Sequence, residues 1–304
     1  GYRYIVDIDL AKFFDEVSHD RLLWLLSTRI GDKTLLKLIR RILKSGILLG
    51  GMTNQRIKGT PQGSPLSPLL SNIVLDELDK ELERRGHRFV RYADDMIILV
   101  KSRQSAERVQ ESVSRYIEEK LKLRVNRDKS GIRRYYELNF LGFRLMSNGD
   151  AALSQKSEER LKKKLKLLTS RRRGISLEQL IKELNPVLRG WLNYFSIARI
   201  KDKMRNLMTW LRRRIRCFRL KQCKRAIGIA RFLMKQGVPE WRAWLLALST
   251  KGWYRKANTP QSHEAMNKNW FTKIGLYDLF SNYCLKLKET AQYDQRTLGG
   301  VRGR

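Results

Sequence analysis

Apolar residues recur along this chain with two periods, and the change from one to the other divides it. At the start, Tyr2-Arg3-Tyr4-Ile5-Val6-Asp7-Ile8-Asp9 alternates and is rich in β-branched and aromatic residues, which predicts a strand ending in carboxylates. Leu69, Leu70, Ile73, Val74, Leu78 and Leu82 then fall at three- and four-residue steps. Ser67 as N-cap, Pro68 at the first helical position and Gly86 beyond the end would bound that helix. The β-prone runs Arg88–Tyr92 and Met96–Lys101 flank Ala93-Asp94-Asp95, predicting a hairpin with adjacent acids at its tip. A helix over Ser105–Leu121, the segment Arg124-Val125-Asn126 and a strand pair near Tyr136–Leu145 follow. From Ser154 onward the period is helical, with Leu161, Leu165 and Leu168 on one face, then Leu177, Leu180, Ile181 and Leu184, and later Trp241, Leu245 and Leu248. The expected class is α+β, with a mixed first half over 1–150 and a helical second half from 151 onward.

Of the 304 residues, 42% are hydrophobic and 9% aromatic, enough to build one or two cores and too many for a disordered chain. Net charge changes the picture more. The chain carries +34, with 28 basic and 20 acidic residues over 1–150 but 36 and 10 over 151–304. An imbalance of this size points to a polyanionic partner and places it mainly on the helical half. The dense runs there contain Lys162, Lys163, Arg171, Arg172, Arg212, Arg213 and Arg214, candidates for phosphate contact; any single run also reads as a solvated helix face. Aromatics such as Trp191, Tyr194, Phe195, Trp210 and Trp241 are interleaved with them as core residues or stacking surfaces. No apolar run approaches the roughly 18 residues that span a bilayer, and Gly1-Tyr2-Arg3-Tyr4 resembles no signal peptide. Cys217, Cys223 and Cys284 fit neither an even disulfide framework nor a CxxC zinc site. A cytoplasmic protein with no membrane partner is expected.

Candidate chemistry begins with Asp9 at a strand end and Asp94 and Asp95 in the hairpin. A sheet placing the first strand beside the hairpin would bring the three together. Such carboxylates repel one another unless cations hold them ionised, and two Mg²⁺ ions about 3.5–4 Å apart would clamp an in-line phosphoryl transfer. Taken alone, the Asp-Asp pair also reads as a solvated turn. Between these acids lies Gly59-Thr60-Pro61-Gln62-Gly63-Ser64-Pro65-Leu66-Ser67-Pro68-Leu69, whose glycines allow close backbone approach and whose prolines stiffen it. The helix after it presents free N–H groups suited to phosphates.

Three segments, Val6-Asp7-Ile8-Asp9 with Phe13-Phe14-Asp15, Gly59 to Pro68, and Tyr92-Ala93-Asp94-Asp95, resemble successive reverse transcriptase motifs in order and spacing. The wording around Pro61-Gln62-Gly63, Leu123 to Asn126 before Lys129-Ser130, Phe140-Leu141-Gly142-Phe143, and Leu188-Arg189-Gly190-Trp191-Leu192-Asn193-Tyr194-Phe195 is most similar to group II intron reverse transcriptases, or maturases. The resemblance implies a palm of ferredoxin-like antiparallel sheet with helices over 1–150. A mostly α-helical thumb and maturase region would cover 151–255, and a DNA- or RNA-binding extension 256–304.

The resemblance further implies an RNA-directed DNA polymerase that copies RNA and assists splicing. Asp9 and Asp94, with Asp95, would be ligands of two Mg²⁺ ions, and Lys129 a general acid or else a solvated lysine. Phe14 would be a steric gate under the incoming sugar or a core residue beside Phe13, and Pro61, Gln62 and Gly63 would contact the incoming dNTP. Leu141 and Gly142 would form a primer-grip turn. The implied partners are group II intron RNA, an RNA template with its DNA primer, dNTP and target DNA, within a bacterial intron ribonucleoprotein at the nucleoid. Relatives carry an N-terminal fingers region before the strand that starts here at Tyr2, so weak or no extension by this chain alone is expected. His19, His87 and His263 make no His-Asn-His endonuclease cluster. Competing readings are an RNA-binding maturase fragment that never polymerises and, with less support from the Gly190 to Phe195 segment, a retron-like enzyme.

Overall fold

The computed structural model describes residues 1–45, 47–49, 52–54, 57–61, 64–146 and 148–299, and the chain divides into two compact units, Gly1–Leu138 and Asn139–Arg304. In the first, the alternating segment forms β1 (Tyr4–Ile8), followed by α1 (Phe13–Glu16), α2 (His19–Ser27) and α3 (Lys33–Lys44). The short strands β2 (Ile47–Leu49) and β3 (Met52–Asn54) pair with each other. Then come α4 (Ser67–Arg84), β4 (Arg88–Tyr92), β5 (Asp95–Val100), α5 (Arg103–Glu119), β6 (Gly131–Arg134) and a single 3₁₀ turn, Tyr135–Glu137.

The main sheet is antiparallel, in the order β4-β5-β1-β6, with Ile8 opposite Met96 and Asp7 opposite both Ile97 and Gly131. Because side chains alternate along a strand, this register sorts the sheet into two faces. Val6 and Ile8 of β1 and Met96, Ile98 and Val100 of β5 point into a core shared with Leu22, Leu43, Leu75, Leu78, Leu82, Val113 and Ile117 of the helices. Each fully buried leucine there stabilises the unit by roughly 1.5–3 kcal/mol. The opposite face carries Asp7, Asp95, Val90 and Tyr92 together with Ile5 and Ile97; Val90 and Tyr92 are exposed, whereas Ile5 and Ile97 are buried. Hydrophobic burial on one face thus fixes the register that lines up acids on the other.

The predicted α4 is present with one correction at its start. Leu66, not Ser67, occupies the N-cap, and the Ser67 hydroxyl donates instead to the Pro61 carbonyl. Gly86, at φ +71, ends the helix: its N–H bonds to Glu83 O at 2.8 Å, and that of His87 bonds to Leu82 O at 3.0 Å.

The second unit opens with a three-stranded antiparallel sheet of β7 (Asn139–Phe140), β8 (Phe143–Leu145) and β9 (Ala151–Leu153). Nine helices follow among the described residues: α6 (Gln155–Leu168), α7 (Leu177–Phe195), α8 (Lys201–Gln222), α9 (Ala226–Lys235), α10 (Glu240–Leu248), α11 (Trp253–Lys256), α12 (Pro260–Ala265), α13 (Lys268–Lys273) and α14 (Leu279–Gly299). One apolar cluster runs from Leu153 to Tyr283. The compact units therefore meet after Leu138, ahead of the predicted boundary at 150, and no break falls at 255, because Ala257, Trp270, Phe271 and Tyr283 pack in the same core as α7 and α8. On α10 the predicted apolar stripe faces outward: Trp241, Leu245 and Leu248 are exposed, and Ala243, Leu246 and Ala247 are buried. Small side chains let α10 approach its neighbours closely. Among the described residues no helix is long and apolar enough to cross a membrane.

Candidate active site and nucleic-acid surfaces

Asp9 follows β1 by one residue, and extending the β1–β5 register one step sets it beside Asp95, the first residue of β5. The backbone at Asp9 is fixed from the far side: its N–H donates to Ser130 Oγ at 3.0 Å, and its carbonyl accepts the Asn126 N–H at 2.8 Å. Leu123 to Ser130 is therefore the support on which Asp9 is mounted. Asp94 sits in the two-residue turn between β4 and β5, where Ala93 adopts φ +53, a left-handed conformation that costs a residue with a Cβ about 1 kcal/mol. Arg91 holds this turn from beneath, with Nη1 bonding to the Ala93 carbonyl at 2.9 Å while Nε binds Asp79 at 2.8 Å.

The field at this end of the sheet is negative. Burial, then the Asp94 and Asp9 carboxylates, push the Asp95 carboxyl above its ordinary range, with Lys129 pulling the other way. Asp7 is raised chiefly by burial, opposed by Arg133 at 3.2 Å and pushed further by Asp95 and Asp9. Lys129 Nζ lies 3.5 Å from Asp9 Oδ2. A group II metal would meet hard carboxylate oxygens here, the donor type that Mg²⁺ takes. The sequence nevertheless predicts a tighter cluster than the structure has. Among the described residues no group of three His, Cys, Asp or Glu side chains stands close enough to hold a metal ion, and Asp9 pairs with Lys129.

Phe14 lies in α1, partly exposed, its ring 5.3 Å from the buried Phe13. Pro61 is part-buried beside it in the chain of contacts through Thr60, whose N–H bonds to Phe14 O at 2.7 Å; Gln62 and Gly63 lie outside the described residues. Sequence reasoning passed over His19, which is buried and bonded to this same loop; a lone histidine 40 residues from its partner gives no periodic signal.

In the second unit the Phe140–Phe143 turn is pinned on all sides. Leu141 and Gly142 both have positive φ, +51 and +81. Gly142 O accepts from Ser154 N at 3.0 Å and Ser157 Oγ at 3.1 Å, and Leu141 O accepts from Tyr194 Oη at 3.0 Å. The Phe143 ring stacks on Tyr194 at 5.6 Å and contacts Phe195 at 5.1 Å. The Gly190 to Phe195 segment of α7 is thus the mount of the turn.

The basic side chains divide by partner. Lys162 pairs with Glu158 at 2.7 Å, Lys163 is exposed, and Arg171 and Arg172 are exposed beyond the end of α6. Arg213 lies over the Tyr254 ring at 3.8 Å. Arg212 and Arg214 turn inward, where the sequence predicts phosphate contacts. Arg212 is paired with Asp278, and Arg214 donates to Thr169 and to the Lys166 carbonyl at the end of α6, with burial pulling its pKa down. Charge density along a helix does not reveal which arginines its packing consumes. Arg171, Arg219, Lys221, Lys224 and Lys273 instead line a cleft of about 1120 Å³ in which Glu178 is the acid.

Both units of the chain resemble known proteins in sequence. Residues 1–145 match the model for reverse transcriptase (RNA-dependent DNA polymerase), and residues 158–237 match that for the group II intron, maturase-specific domain. The chain is 30% identical over 179 residues to Protein YkfC of Escherichia coli (strain K12), covering 47% of each chain. It is 28% identical over 227 residues to the group II intron-encoded protein LtrA of Lactococcus lactis subsp. cremoris, covering 53% of this chain and 38% of that protein. It therefore spans less than half the length of these relatives. The structure of telomerase from Candida Tropicalis in complex with a telomeric RNA fragment aligns at TM-score 0.42 and 12% identity, over 92% of this chain and 48% of that one. With residues 1–145 matching the reverse transcriptase model and residues 158–237 the maturase-specific domain, the chain belongs to the family of group II intron reverse transcriptases.

Proposed function

We propose that the chain acts as the RNA-directed DNA polymerase and maturase of a mobile group II intron. The observation that carries the polymerase reading is the β1–β5 register, which sets Asp9 beside Asp95 at one end of the sheet, next to a turn bearing Asp94. A reverse transcriptase domain implies divalent-metal-dependent polymerisation in general, and the carboxylate donors favour Mg²⁺. Two such ions, when bound, neutralise charge on the reacting phosphate.

The chain's own groups do the rest. In the transfer, the primer 3′-hydroxyl gives up its proton to solvent as its oxygen bonds to the α-phosphorus, the α–β phosphoanhydride breaks, and pyrophosphate leaves. Asp9, Asp94 and Asp95 would hold the ions, and Lys129, already directed at Asp9, would donate a proton to pyrophosphate. Phe14, with Pro61, Gln62 and Gly63, would receive the dNTP, and Leu141 and Gly142 the primer end of an RNA template–DNA primer duplex.

The maturase reading rests on the second unit. Its cleft of exposed cations, with Lys163, Arg171, Arg172 and Arg213 nearby in sequence and fold, suits intron RNA and target DNA phosphates in a bacterial ribonucleoprotein at the nucleoid. One experiment separates the two. Asp94→Asn with Asp95→Asn should abolish Mg²⁺-dependent dNTP incorporation on a primed RNA and leave RNA affinity and its salt dependence unchanged. Unchanged incorporation would reject the polymerase assignment.

A further inference from the structure

His19 opens α2 with 5% of its surface exposed, and none of the chemistry above uses it. Its Nε2 lies 2.6 Å from the Gly59 carbonyl oxygen. A carbonyl can only accept, so this nitrogen carries the proton and donates.

Gly59 leaves no room for a side chain. It sits at φ +88, and a Cβ there would come within 2.8 Å of Asp15 O and 2.9 Å of both Asp15 Cα and Phe14 O, all backbone atoms. Flat backbone packing continues to either side. Gly59 N–H donates to Val17 O at 2.7 Å, Thr60 N–H donates to Phe14 O at 2.7 Å, Lys58 bridges Ser18, and Lys58 Nζ pairs with Glu16 at 2.6 Å. Lys58–Thr60 therefore runs as a clamp along Phe14–Ser18, with His19 closing it from the side. Beyond the clamp, Pro61 is tied to α4 through the Ser67 hydroxyl.

We propose that His19 is a positioning residue for nucleotide selection: by holding Gly59 it fixes Thr60 on the Phe14 backbone, and so sets how strongly the chain prefers deoxyribonucleotides over ribonucleotides. This rests on the reading of Phe14 as the gate beneath the incoming sugar. A ring excludes a 2′-hydroxyl only as sharply as the backbone beneath it is fixed, and slack of a few tenths of an ångström admits the larger sugar. His19 touches no nucleotide; it acts through the backbone of residues 59, 60 and 14.

The test uses the whole chain with His19→Met, which keeps bulk without a donor, and His19→Gln, whose amide nitrogen reaches the same carbonyl. Incorporation of dGTP against GTP on a primed RNA is measured beside hydrogen exchange at the Gly59 and Thr60 amides and thermal unfolding. His19→Met should lose about tenfold in deoxy-over-ribo preference and in Thr60 protection, while His19→Gln stays within about twofold of wild type. A folded His19→Met with wild-type preference overturns the proposal and marks His19 as merely structural. Wild type that incorporates neither nucleotide, both as this chain and in a longer chain with the upstream region restored, overturns the polymerase reading and the selectivity with it, and the exchange data then decide the clamp alone. Should His19→Met fail to fold, fast exchange at Thr60 in wild type, or wild-type preference in His19→Gln with that amide unprotected, rejects the mechanism.

Discussion

Two glycines of the β7–β9 sheet share a positive φ and differ in what surrounds them, which makes the Phe140–Phe143 turn open to a controlled perturbation. Gly149 has φ +84 and nothing within 4 Å of a built Cβ, so Gly149→Ala carries the left-handed backbone cost alone, about 1 kcal/mol. Gly142 has φ +81, but its Cβ would meet Ser157 Oγ at 2.7 Å and two Phe195 ring carbons at 3.2 Å. Neither neighbour yields easily. The Ser157 hydroxyl is held by Gly142 O and Ser154, and the Phe195 ring is wedged among Phe143, Trp191 and Tyr194. Overpacking of this kind adds about 1–3 kcal/mol, so Gly142→Ala should cost about 2–4 kcal/mol in all. For a unit of this size that lowers Tm by about 4–16 °C, against about 2–4 °C for Gly149→Ala. Urea unfolding of both variants with matched slopes reads the difference. Equal losses in the two would refute the claim that the Gly142 turn is clamped by the α6 and α7 side chains.

Tyr194→Phe removes one hydroxyl and the bond to Leu141 O; stability should fall by about 0.5–1 kcal/mol while the KM for primer rises, and an unchanged KM would separate α7 from the primer end. Asp95 titrates above its ordinary value, so the folded state pays a charge penalty that is fully present above the folded pKa and gone below 3.8. In EDTA at pH 7, Asp95→Asn should therefore raise Tm, with the gain shrinking as the solution is acidified through that range; a Tm loss at pH 7 would contradict it. Arg212→Ala strands the part-buried Asp278 and should cost about 2–4 kcal/mol in chemical denaturation. Lys221→Ala and Lys224→Ala, on exposed rim positions, should each stay within about 0.5 kcal/mol of wild-type stability yet reduce the salt slope of RNA binding by about one.

Much of the first unit was legible because a buried face imposes a period on β1, β4, α4 and α5, while β5 shows as a continuous β-prone run from Met96 to Val100 that is buried on both faces. Ser67 misled because its hydroxyl, expected to accept a helix N–H, donates to the Pro61 carbonyl, a contact that no capping pattern encodes. Trp241, Leu245 and Leu248 misled in the other direction, since periodicity identifies a stripe but not which stripe is buried when alanines occupy the packed one. Residues 11–45 gave no expectation beyond their motif, though Asp32 caps α3 through Thr34 N at 2.7 Å. The acids of the site were readable from type and spacing. Their supports were not: Ser130 beneath Asp9 and His19 beneath Gly59 are contacts across long stretches of chain, and Arg91, two residues from the turn carbonyl it binds, is itself anchored by Asp79 in the preceding helix.

The account turns on whether the acids at the end of this sheet share a cation. Titrating the chain with Mn²⁺ and following free ion by electron paramagnetic resonance tests that without needing catalysis. Saturable binding that weakens at least about tenfold in each of Asp9→Asn and Asp94→Asn, with Asp15→Asn unaffected, is the predicted result. Wild type and an Asp9→Asn, Asp94→Asn double variant that bind Mn²⁺ alike would contradict it.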